Sequence, residues 1–330
     1  MGVQSNTEVR APVLSTCGHY EGRANGIYLR PACRLSPRSG PRQARVMPET
    51  GAAGGSDDRA GEPGVLDVLA LEEIDRDLYR GTLLFPDTLA LYGGQVAAQA
   101  LYAAGRTVPP ERLPHSLHGY FLRGGDAARP VVFRVDRDRD GRSFSARRVV
   151  ALQAGEVLFN MSTSFAVAGE GPDRRVDAAP DAEAPDASAD YQLPRLFGME
   201  IRLPTQQFPR LRWPAQFWAR TCGSLPDDPL LHACALTYLS DFSTGLASFD
   251  DEDVQTGVSL DHSLWFHRPI RLDEWVLMDM VPGTVAGGRG WYTGTLTTGD
   301  GVLGASFAQE TLFRPEPWRF PPGGRKPELG

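Results

Sequence analysis

Hydrophobic residues recur with a helical period in one segment of the first half of the chain. In residues 93–105, Val96, Ala100 and Leu101 fall on one face of an α-helix, and Gly105 is a stop signal. The small side chains on this face would let a sheet approach closely. The pattern therefore predicts a helix over 93–105 that covers a sheet.

Alternation of polar and apolar residues predicts strands on both sides of this helix. Residues 66–80 predict an opening strand before it. The strand-like runs after it are 115–123, 130–138, 143–154 and 156–166. The last two runs are joined by Ala154-Gly155, which predicts a hairpin.

The second half of the chain shows the same order of elements. Residues 214–222 predict a strand, and the largely apolar run 228–247 predicts a buried helix. The strand-like runs that follow are 256–269, 274–283, 289–298 and 301–314. The last two are joined by Gly299-Asp300-Gly301, which predicts a second hairpin.

Short strings of residues also recur between the two halves. His115-Ser116-Leu117 returns as His262-Ser263-Leu264, and Gly141-Arg142 returns as Gly288-Arg289, each 147 positions later (262 − 115 and 288 − 141). The chain is therefore expected to contain a duplicated α+β unit. In each half, one helix would cover the apolar face of a five-stranded antiparallel meander.

Composition divides the chain into five segments. Residues 1–62 are rich in Gly, Pro, Ser, Ala and Arg without an apolar period, and residues 168–190 are an acidic Ala/Pro/Asp stretch. The predicted segments are a disordered leader (1–62), an N-terminal unit (63–167), a linker (168–190), a C-terminal unit (191–317) and a disordered tail (318–330).

The leader has three interpretations. Its arginines fit a transit peptide, but the favoured interpretation is a leader without function, or a start codon assigned too early, with Met47 as the true start. It has no apolar h-region, so a secretory signal is not predicted.

Charge and cysteine content narrow the class of partner. The net charge of −7 argues against a nucleic-acid partner. The longest apolar runs fall short of the roughly 20 residues of a membrane span. The four cysteines, which lack metal-binding spacing, are Cys17, Cys33, Cys222 and Cys234. We expect free thiols, no bound metal and a cytoplasmic protein.

Several strings resemble one protein family. They are YGGQVAAQAL (92–101), PHSLHGYFLRGGD (114–126), DGRSFSARRVVALQAGEVLF (140–159), LSDF (239–242), LDHSLWFHRP (260–269) and DGVLGASFAQETLFR (300–314). In order and spacing they resemble the type II acyl-CoA thioesterases, the group of bacterial thioesterase II and the peroxisomal acyl-CoA thioesterases. The resemblance implies a double hotdog fold, two tandem repeats in which an antiparallel sheet wraps around a central helix.

The same resemblance implies an activity and a set of residues. Members of the family hydrolyse fatty acyl-CoA to free acid and CoA without a metal or redox cofactor. They hold the attacking water with an Asp, a Thr or Ser, and a Gln of the second hotdog. By motif these are Asp241, Ser259 and Gln309. Ser259 stands where bacterial members most often carry Thr, and the hydroxyl is kept.

The chemistry of these residues suits thioester hydrolysis. Asp241 can accept a proton or fix a water, and the other two side chains offer neutral donors and acceptors. Aligning the two halves on their Tyr-containing motifs places Gln95 opposite Asp241, and aligning their Val-Leu strings places Ser164 opposite Gln309. The ionisable group would then exist only in the second half. In a purely structural interpretation, Asp241 caps or interrupts a helix and Gln309 is a solvated strand residue.

Seven further residues are candidates for substrate binding. They are Gly93, Gly94, Gln95, Arg142, Arg147, Arg148 and Arg268. The glycine amides could approach a carbonyl oxygen or a phosphate at a helix start, or the glycines could only permit tight packing. The arginines could meet CoA phosphates or form a solvated strand face.

The sequence gives less support to two other catalytic arrangements. Asp261-His262 could act as the acid/base pair of a hydratase, but the His-Ser-Leu string occurs in both halves, so a shared structural histidine at 115 and 262 is favoured. No Gly-x-Ser-x-Gly motif is present, so an α/β-hydrolase serine is not predicted.

The sequence therefore predicts an acyl-CoA thioesterase. The alternative is a non-hydrolytic acyl-CoA-binding or hydratase-like hotdog protein. Acyl-CoA is the expected small-molecule partner, and exposed sheet edges would allow a homo-oligomer.

Overall fold

The computed structural model describes residues 64–81, 91–193, 196–206, 214–242 and 254–315. All of them belong to one unit, Asp57–Gly330. The predicted leader at 1–62 and the predicted tail at 318–330 lie outside the described residues.

The described residues contain three α-helices: α1 (Val65–Leu69), α2 (Gly93–Gly105) and α3 (Pro229–Ser240). The range of α2 agrees with the prediction from its apolar face. The described part of α3 ends at Ser240, seven residues before the predicted end (247 − 240), because Asp241 leaves the helix and caps it. Residues 243–247 of the predicted helix lie outside the described residues.

The strands of the described residues are β1 (Leu71–Asp75), β2 (Leu78–Gly81), β3 (Arg112–Phe121), β4 (Val132–Asp140), β5 (Phe144–Gln153), β6 (Glu156–Val167), β7 (Ala189–Tyr191), β8 (Met199–Leu203), β9 (Gln216–Thr221), β10 (Val254–Ser259), β11 (Asp261–Phe266), β12 (Val276–Ala286), β13 (Arg289–Thr298) and β14 (Leu303–Pro315). A short 3₁₀ turn spans Pro185–Ala187.

The predicted opening strand at 66–80 is wrong. This segment forms α1 and then a β1–β2 hairpin that turns at Arg76-Asp77. Asp77 adopts φ 59°, the left-handed conformation that short polar side chains tolerate. Its carboxylate accepts hydrogen bonds from Arg137 of β4, which ties the hairpin to the sheet.

The strands form one antiparallel sheet rather than two meanders. The order of its main path is β1-β2-β4-β5-β6-β3-β11-β14-β13-β12-β9-β8-β7, and β10 pairs with β14. The predicted five-stranded meander is wrong for both halves. β3 pairs with β6 and not with β4, the next strand along the chain, and β11 pairs with β14 and not with β12. The two halves join where β3 pairs with β11.

The helices α2 and α3 pack against each other and against this sheet. Ala97, Ala98 and Leu101 of α2 are fully buried. The two helices run in opposite directions, since Gly93 lies beside Asp241 at the end of α3, and Gly105 lies beside Leu230 at its start. Two helices enclosed by one antiparallel sheet confirm the double hotdog fold.

Both predicted hairpins are confirmed. Ala154 and Gly155 both have positive φ, 50° and 81°, which is the turn that matches the twist of two antiparallel strands. In the second half, Gly301 has φ 89°, and its amide donates to the Thr298 carbonyl at 2.9 Å.

The predicted linker is hydrogen-bonded to the second hotdog. Arg175 donates to the carbonyl of Gly301 at 3.2 Å, and the indole of Trp218 donates to the carbonyl of Glu183 at 2.7 Å. The segment 168–190 therefore lies against the second hotdog, and β7 already begins at its residue Ala189.

Candidate active site

Helix α3 delivers Asp241 into the interior. Pro229 occupies its first turn, and the Asp228 carboxylate accepts a hydrogen bond from the Leu230 amide at 2.9 Å, so the start of the helix is well defined. The helix ends at Ser240, and Asp241 follows as the C-cap. Asp241 is only 3% exposed, so the carboxylate is held inside the fold.

Two neighbouring strands bring the other two candidates to this carboxylate. Ser259 is the last residue of β10, and Gln309 lies on β14, to which β10 pairs. Burial alternates along β14, which turns Gln309 inward and leaves it 1% exposed. The interpretation of Gln309 as a solvated strand residue is therefore wrong.

The three side chains meet at one carboxylate oxygen. Ser259 Oγ donates to Asp241 Oδ1 at 3.1 Å, and Gln309 Nε2 donates to the same oxygen at 2.7 Å. Gln309 Nε2 also contacts Ser259 Oγ. A residue that only capped the helix would not require this converging pair of donors from two strands.

A second pair of side chains extends this cluster. His262 of β11 is fully buried, with Nδ1 2.8 Å from Gln309 Oε1 and Nε2 2.8 Å from Ser240 Oγ. Burial lowers the pKa of His262 from 6.5 to about 4, so the ring is neutral at pH 7. The contact of His262 with Gln309 was not predicted, because the His-Ser-Leu string occurs in both halves and His262 was taken for a shared structural residue. Strand alternation beside Leu264 was the signal for an inward position.

The histidine of the first half does not occupy the equivalent place. Strand β3 carries one extra residue between the pairs Pro114–Phe165 and Ser116–Ser164, so His115 lies in a β-bulge. It is half-buried rather than fully buried, and its Nε2 lies 2.8 Å from Ser164 Oγ. The same tripeptide therefore has two different structural settings.

Strand register also corrects the alignment of Ser164 with Gln309. Leu117 pairs with Thr163, whereas Leu264 pairs with Phe307, so Phe165 is the residue equivalent to Gln309. Phe165 is fully buried, as expected for an inward-facing equivalent. The sequence alignment was one residue out of register.

The alignment of Gln95 with Asp241 is wrong for a different reason. Gln95 lies in the first turn of α2, whereas Asp241 follows the last turn of α3. The two motifs sit at opposite ends of their helices, so they are neighbours in space and not equivalents.

The start of α2 faces the carboxylate. A Cβ at Gly93 would lie 2.5 Å from Asp241 Oδ2 and 2.8 Å from the ring of Phe121. A Cβ at Gly94 would lie 2.5 Å from the carbonyl of Tyr238. Both glycines are therefore needed for the close approach of the two helices, and the first-turn amides of α2 lie beside Asp241.

The arginine candidates have different environments. Arg147 is 1% exposed and donates to Thr107 Oγ1 at 2.7 Å, to the Thr107 carbonyl at 3.1 Å and to Asp140 Oδ1 at 2.7 Å. A guanidinium enclosed in this way is not placed to meet CoA phosphates, so that prediction is wrong for Arg147. Its partners show that it holds the chain beyond the end of α2.

The other three arginines are more accessible. Arg142 is exposed in the turn before β5, and Arg148 is exposed and pairs with Asp138 at 3.2 Å. Arg268 pairs with Asp173 of the linker and donates to the carbonyl of Leu303 at 3.1 Å.

The neighbouring acid Asp261 has a main-chain partner. Its carboxylate accepts a hydrogen bond from the Glu310 amide at 2.7 Å. Burial raises the pKa of Asp261, and the nearby Glu310 charge raises it further. Both His262 ring nitrogens contact other residues, Gln309 and Ser240, which does not favour the acid/base pair of a hydratase.

The described residues show neither a metal-binding cluster nor a membrane-spanning helix. No group of three or more His, Cys, Asp or Glu side chains there could hold a metal ion. No helix there is long and apolar enough to cross a membrane.

Comparison with known proteins gives a consistent family. Residues 85–166 match the acyl-CoA thioesterase N-terminal domain, and residues 173–313 match the acyl-CoA thioesterase C-terminal domain. Human acyl-coenzyme A thioesterase 8 is 34% identical over 308 residues, covering 82% of this chain and 96% of the human protein. Acyl-CoA thioesterase 2 of Haemophilus influenzae is 32% identical, covering 76% of this chain and 96% of that protein.

Solved structures agree with these relatives. Acyl-CoA thioesterase II TesB2 from Mycobacterium marinum is 41% identical, with a TM-score of 0.65, covering 76% of this chain and 98% of that chain. A protein of Alicyclobacillus acidocaldarius with a hot dog fold is 21% identical, with a TM-score of 0.64, covering 76% and 97%, and supports the fold alone. With both halves matched in order and relatives above 30% identity over most of its length, this chain belongs to the acyl-CoA thioesterase family.

Proposed function

We propose that this chain hydrolyses fatty acyl-CoA with a water held by Asp241, Ser259 and Gln309. The observation that carries the proposal is the convergence of Ser259 and Gln309 on Asp241 Oδ1, inside a fold shared with acyl-CoA thioesterases. Family membership supports acyl-CoA thioester hydrolysis over the non-hydrolytic alternative.

In the proposed reaction, Asp241 is the general base. It accepts a proton from the water as the water oxygen bonds to the thioester carbonyl carbon. The tetrahedral intermediate then expels the CoA sulfur, which takes up that proton, so the products are the free acid and CoA thiol. Ser259 and Gln309 fix the carboxylate and the water, which keeps the nucleophile in line with the carbonyl.

The start of α2 is suited to bind the developing oxyanion. The first-turn amides of a helix lack intrahelical partners and carry the positive end of its dipole. In this fold they lie beside Asp241 because Gly93 has no side chain to block the approach. The first hotdog would thus supply the amides of Gly93, Gly94 and Gln95, and the second hotdog would supply the base.

The wider proposals concern CoA and the setting. Arg142, Arg148 and Arg268 remain candidates for CoA phosphates, for which exposed or partly exposed guanidinium groups are suited. A cytoplasmic location and assembly into a homo-oligomer also remain proposals from the sequence.

Thiol release from a panel of saturated acyl-CoA esters tests the proposal. The purified chain should release free CoA thiol without added metal or redox cofactor, with turnover that depends on Asp241. In a matched assay with a panel of enoyl-CoA esters, hydration is measured as loss of the conjugated double bond. Hydration of enoyl-CoA with no thiol release from any ester would favour the hydratase-like alternative and contradict the proposal.

A further inference from the structure

We infer that His262 is a positioning residue that, together with Ser240, fixes the orientation of the Gln309 amide. The inference rests on the proposed role of Gln309 in hydrolysis. The four side chains of Ser240, His262, Gln309 and Asp241 form a closed loop, since Ser240 immediately precedes Asp241 in the chain.

The loop begins with the Gln309 amide, whose orientation matters to the carboxylate. A carboxylate can only accept hydrogen bonds, so the amide nitrogen must face Asp241. The amide oxygen then faces His262. The reversed amide would place a carbonyl oxygen against the carboxylate, so that two acceptors would face each other, and would turn the amide NH₂ group toward His262.

The partner of the amide oxygen must be a donor. His262 Nδ1 lies 2.8 Å from Gln309 Oε1, so this nitrogen carries a proton. The ring is enclosed on all sides and uncharged at neutral pH, as its lowered pKa of about 4 indicates. A neutral imidazole has one N–H group, so Nε2 carries a lone pair and accepts.

Ser240 completes the set. Its Oγ lies 2.8 Å from His262 Nε2 and 3.0 Å from the Thr237 carbonyl, but a hydroxyl has only one proton. Because Nε2 carries no proton, it can only accept, so the Ser240 hydroxyl donates to Nε2 rather than to the Thr237 carbonyl. The direction of donation is therefore Ser240 to His262, His262 to Gln309, and Gln309 to Asp241.

This arrangement explains why a fully buried histidine stands at this position. An apolar side chain would fill the volume, but it would leave Gln309 Oε1 buried without its histidine donor, which costs free energy. The amide could then rotate or move away from Asp241. The expected consequence is slower chemistry rather than weaker substrate binding.

Kinetics of His262 variants test the inference. His262→Leu removes both ring nitrogens, and we expect kcat to fall by about tenfold or more with KM within about twofold. His262→Asn keeps an amide N–H near the position of Nδ1 and should recover part of the lost kcat. Ser240→Ala removes the donor to Nε2 and should lower kcat by several-fold, which provides a test even if His262→Leu does not fold.

A matched control separates positioning from stability. His232 is also a buried histidine, on the first turns of α3, and its Nδ1 accepts from the Leu272 amide at 3.2 Å. His232→Asn should lower the melting temperature while leaving kcat within about twofold. Equal losses of kcat in His232→Asn and His262→Asn would show that any buried histidine matters equally, which would overturn the inference.

A double-mutant cycle gives the sharpest outcome. If His262 acts through Gln309, then His262→Leu should cause little further loss of kcat in a Gln309→Ala background. Multiplied losses, or wild-type kcat in folded His262→Leu, would overturn the inference. Failure of the proposed function is distinguishable, since in that case Asp241→Asn would also retain thiol release.

Discussion

The two hotdogs place different side chains at equivalent interior positions. A cross-strand row in the first hotdog contains Leu117, Thr163 and Arg147. The same row in the second hotdog contains Leu264, Phe307 and Gly294. In the first, the buried Arg147 binds Thr107 just beyond the end of α2. In the second, the absence of a side chain at Gly294 leaves room for the ring of Phe307.

The next row shows the difference that matters for chemistry. In the second hotdog, Tyr292 pairs with Gln309, which contacts His262. In the first hotdog, Ser145 pairs with Phe165, and the bulge turns His115 away. The hydrogen bonds of the buried Arg147 thus lie at the end of α2, whereas the Asp241 carboxylate and its hydrogen-bond donors lie at the end of α3. The two hotdogs therefore keep the same fold, although the residues at the end of the helix and the register of one strand differ between them.

The largest expected effect concerns the carboxylate. Asp241→Asn keeps the shape but removes the base, so turnover should fall by about 10²–10⁴-fold with the fold intact, as judged by melting temperature. Asp261→Asn is the matched control, because its side chain can still accept from the Glu310 amide. Near wild-type thiol release by Asp241→Asn would refute the catalytic assignment.

The next effect compares the glutamine with its counterpart strand. Gln309→Ala removes a donor to Asp241. A single donor in a comparable oxyanion site is worth roughly 2.7–4 kcal/mol, so we expect turnover to fall by about 10²–10³-fold. Ser164→Ala, which changes only the contact with His115, should cost little. Equal losses in steady-state hydrolysis would show that the Ser164–His115 contact matters as much as Gln309, which would contradict the contrast between the two halves.

The third prediction compares how His262 and His115 change the free energy of unfolding as the pH falls. The pKa of His262 is lowered from 6.5 to about 4 by burial, so the unfolded chain binds a proton first as the pH falls. Stability is then lost between pH 6.5 and pH 4, by about 2 kcal/mol between pH 7 and pH 5. Urea unfolding at both pH values should show a loss smaller by this amount in His262→Asn.

The matched variant for this measurement is His115→Asn. Burial also lowers the pKa of His115, and the nearby His118 contributes in the same direction, but the ring is only half-buried. Its removal should change the pH dependence less than removal of His262. A larger change in pH dependence for His115→Asn than for His262→Asn would contradict the contrast between the bulged strand β3 and the regular strand β11.

The smallest effect concerns the hydroxyl. Ser259→Ala removes a donor to Asp241 Oδ1, and we expect turnover to fall by about tenfold, since a hydrogen bond to a charged group is worth about 1.5–3 kcal/mol. Ser259→Thr keeps the oxygen and should retain most activity. Should the two variants hydrolyse acyl-CoA at equal rates, Ser259 would be a packing residue.

The local sequence pattern predicted the helices and turns of this fold better than it predicted which strands pair in the sheet. The helix over 93–105 and the turn at Ala154-Gly155 follow from side-chain periodicity and turn chemistry, which are local properties. The β1–β2 hairpin was missed because Arg76-Asp77 lacks the glycine that usually marks a tight turn. The place of β3 beside β6 is a long-range property that alternation does not encode.

In the candidate site, too, some residues could be predicted from the sequence and others could not. Motif resemblance proposed Asp241, Ser259 and Gln309, and the structure brings these three together. Ser164 was placed opposite Gln309 because the Val-Leu strings that align the two halves lie beside the hairpin turns, where both strand pairs shift register. Gln95 was placed opposite Asp241 although its motif begins α2 and that of Asp241 ends α3. His262 was set aside because identical strings in two halves suggested identical roles.

The contact between α2 and α3 also has a consequence for folding. Gly93 and Asp241 lie side by side but are 148 residues apart in sequence (241 − 93). Contacts of such long range form slowly, because the chain must close a large loop before they contribute any energy. Recovery of thioesterase activity during refolding should therefore follow the docking of the two halves, and lag behind any spectroscopic signal that reports the folding of one half alone.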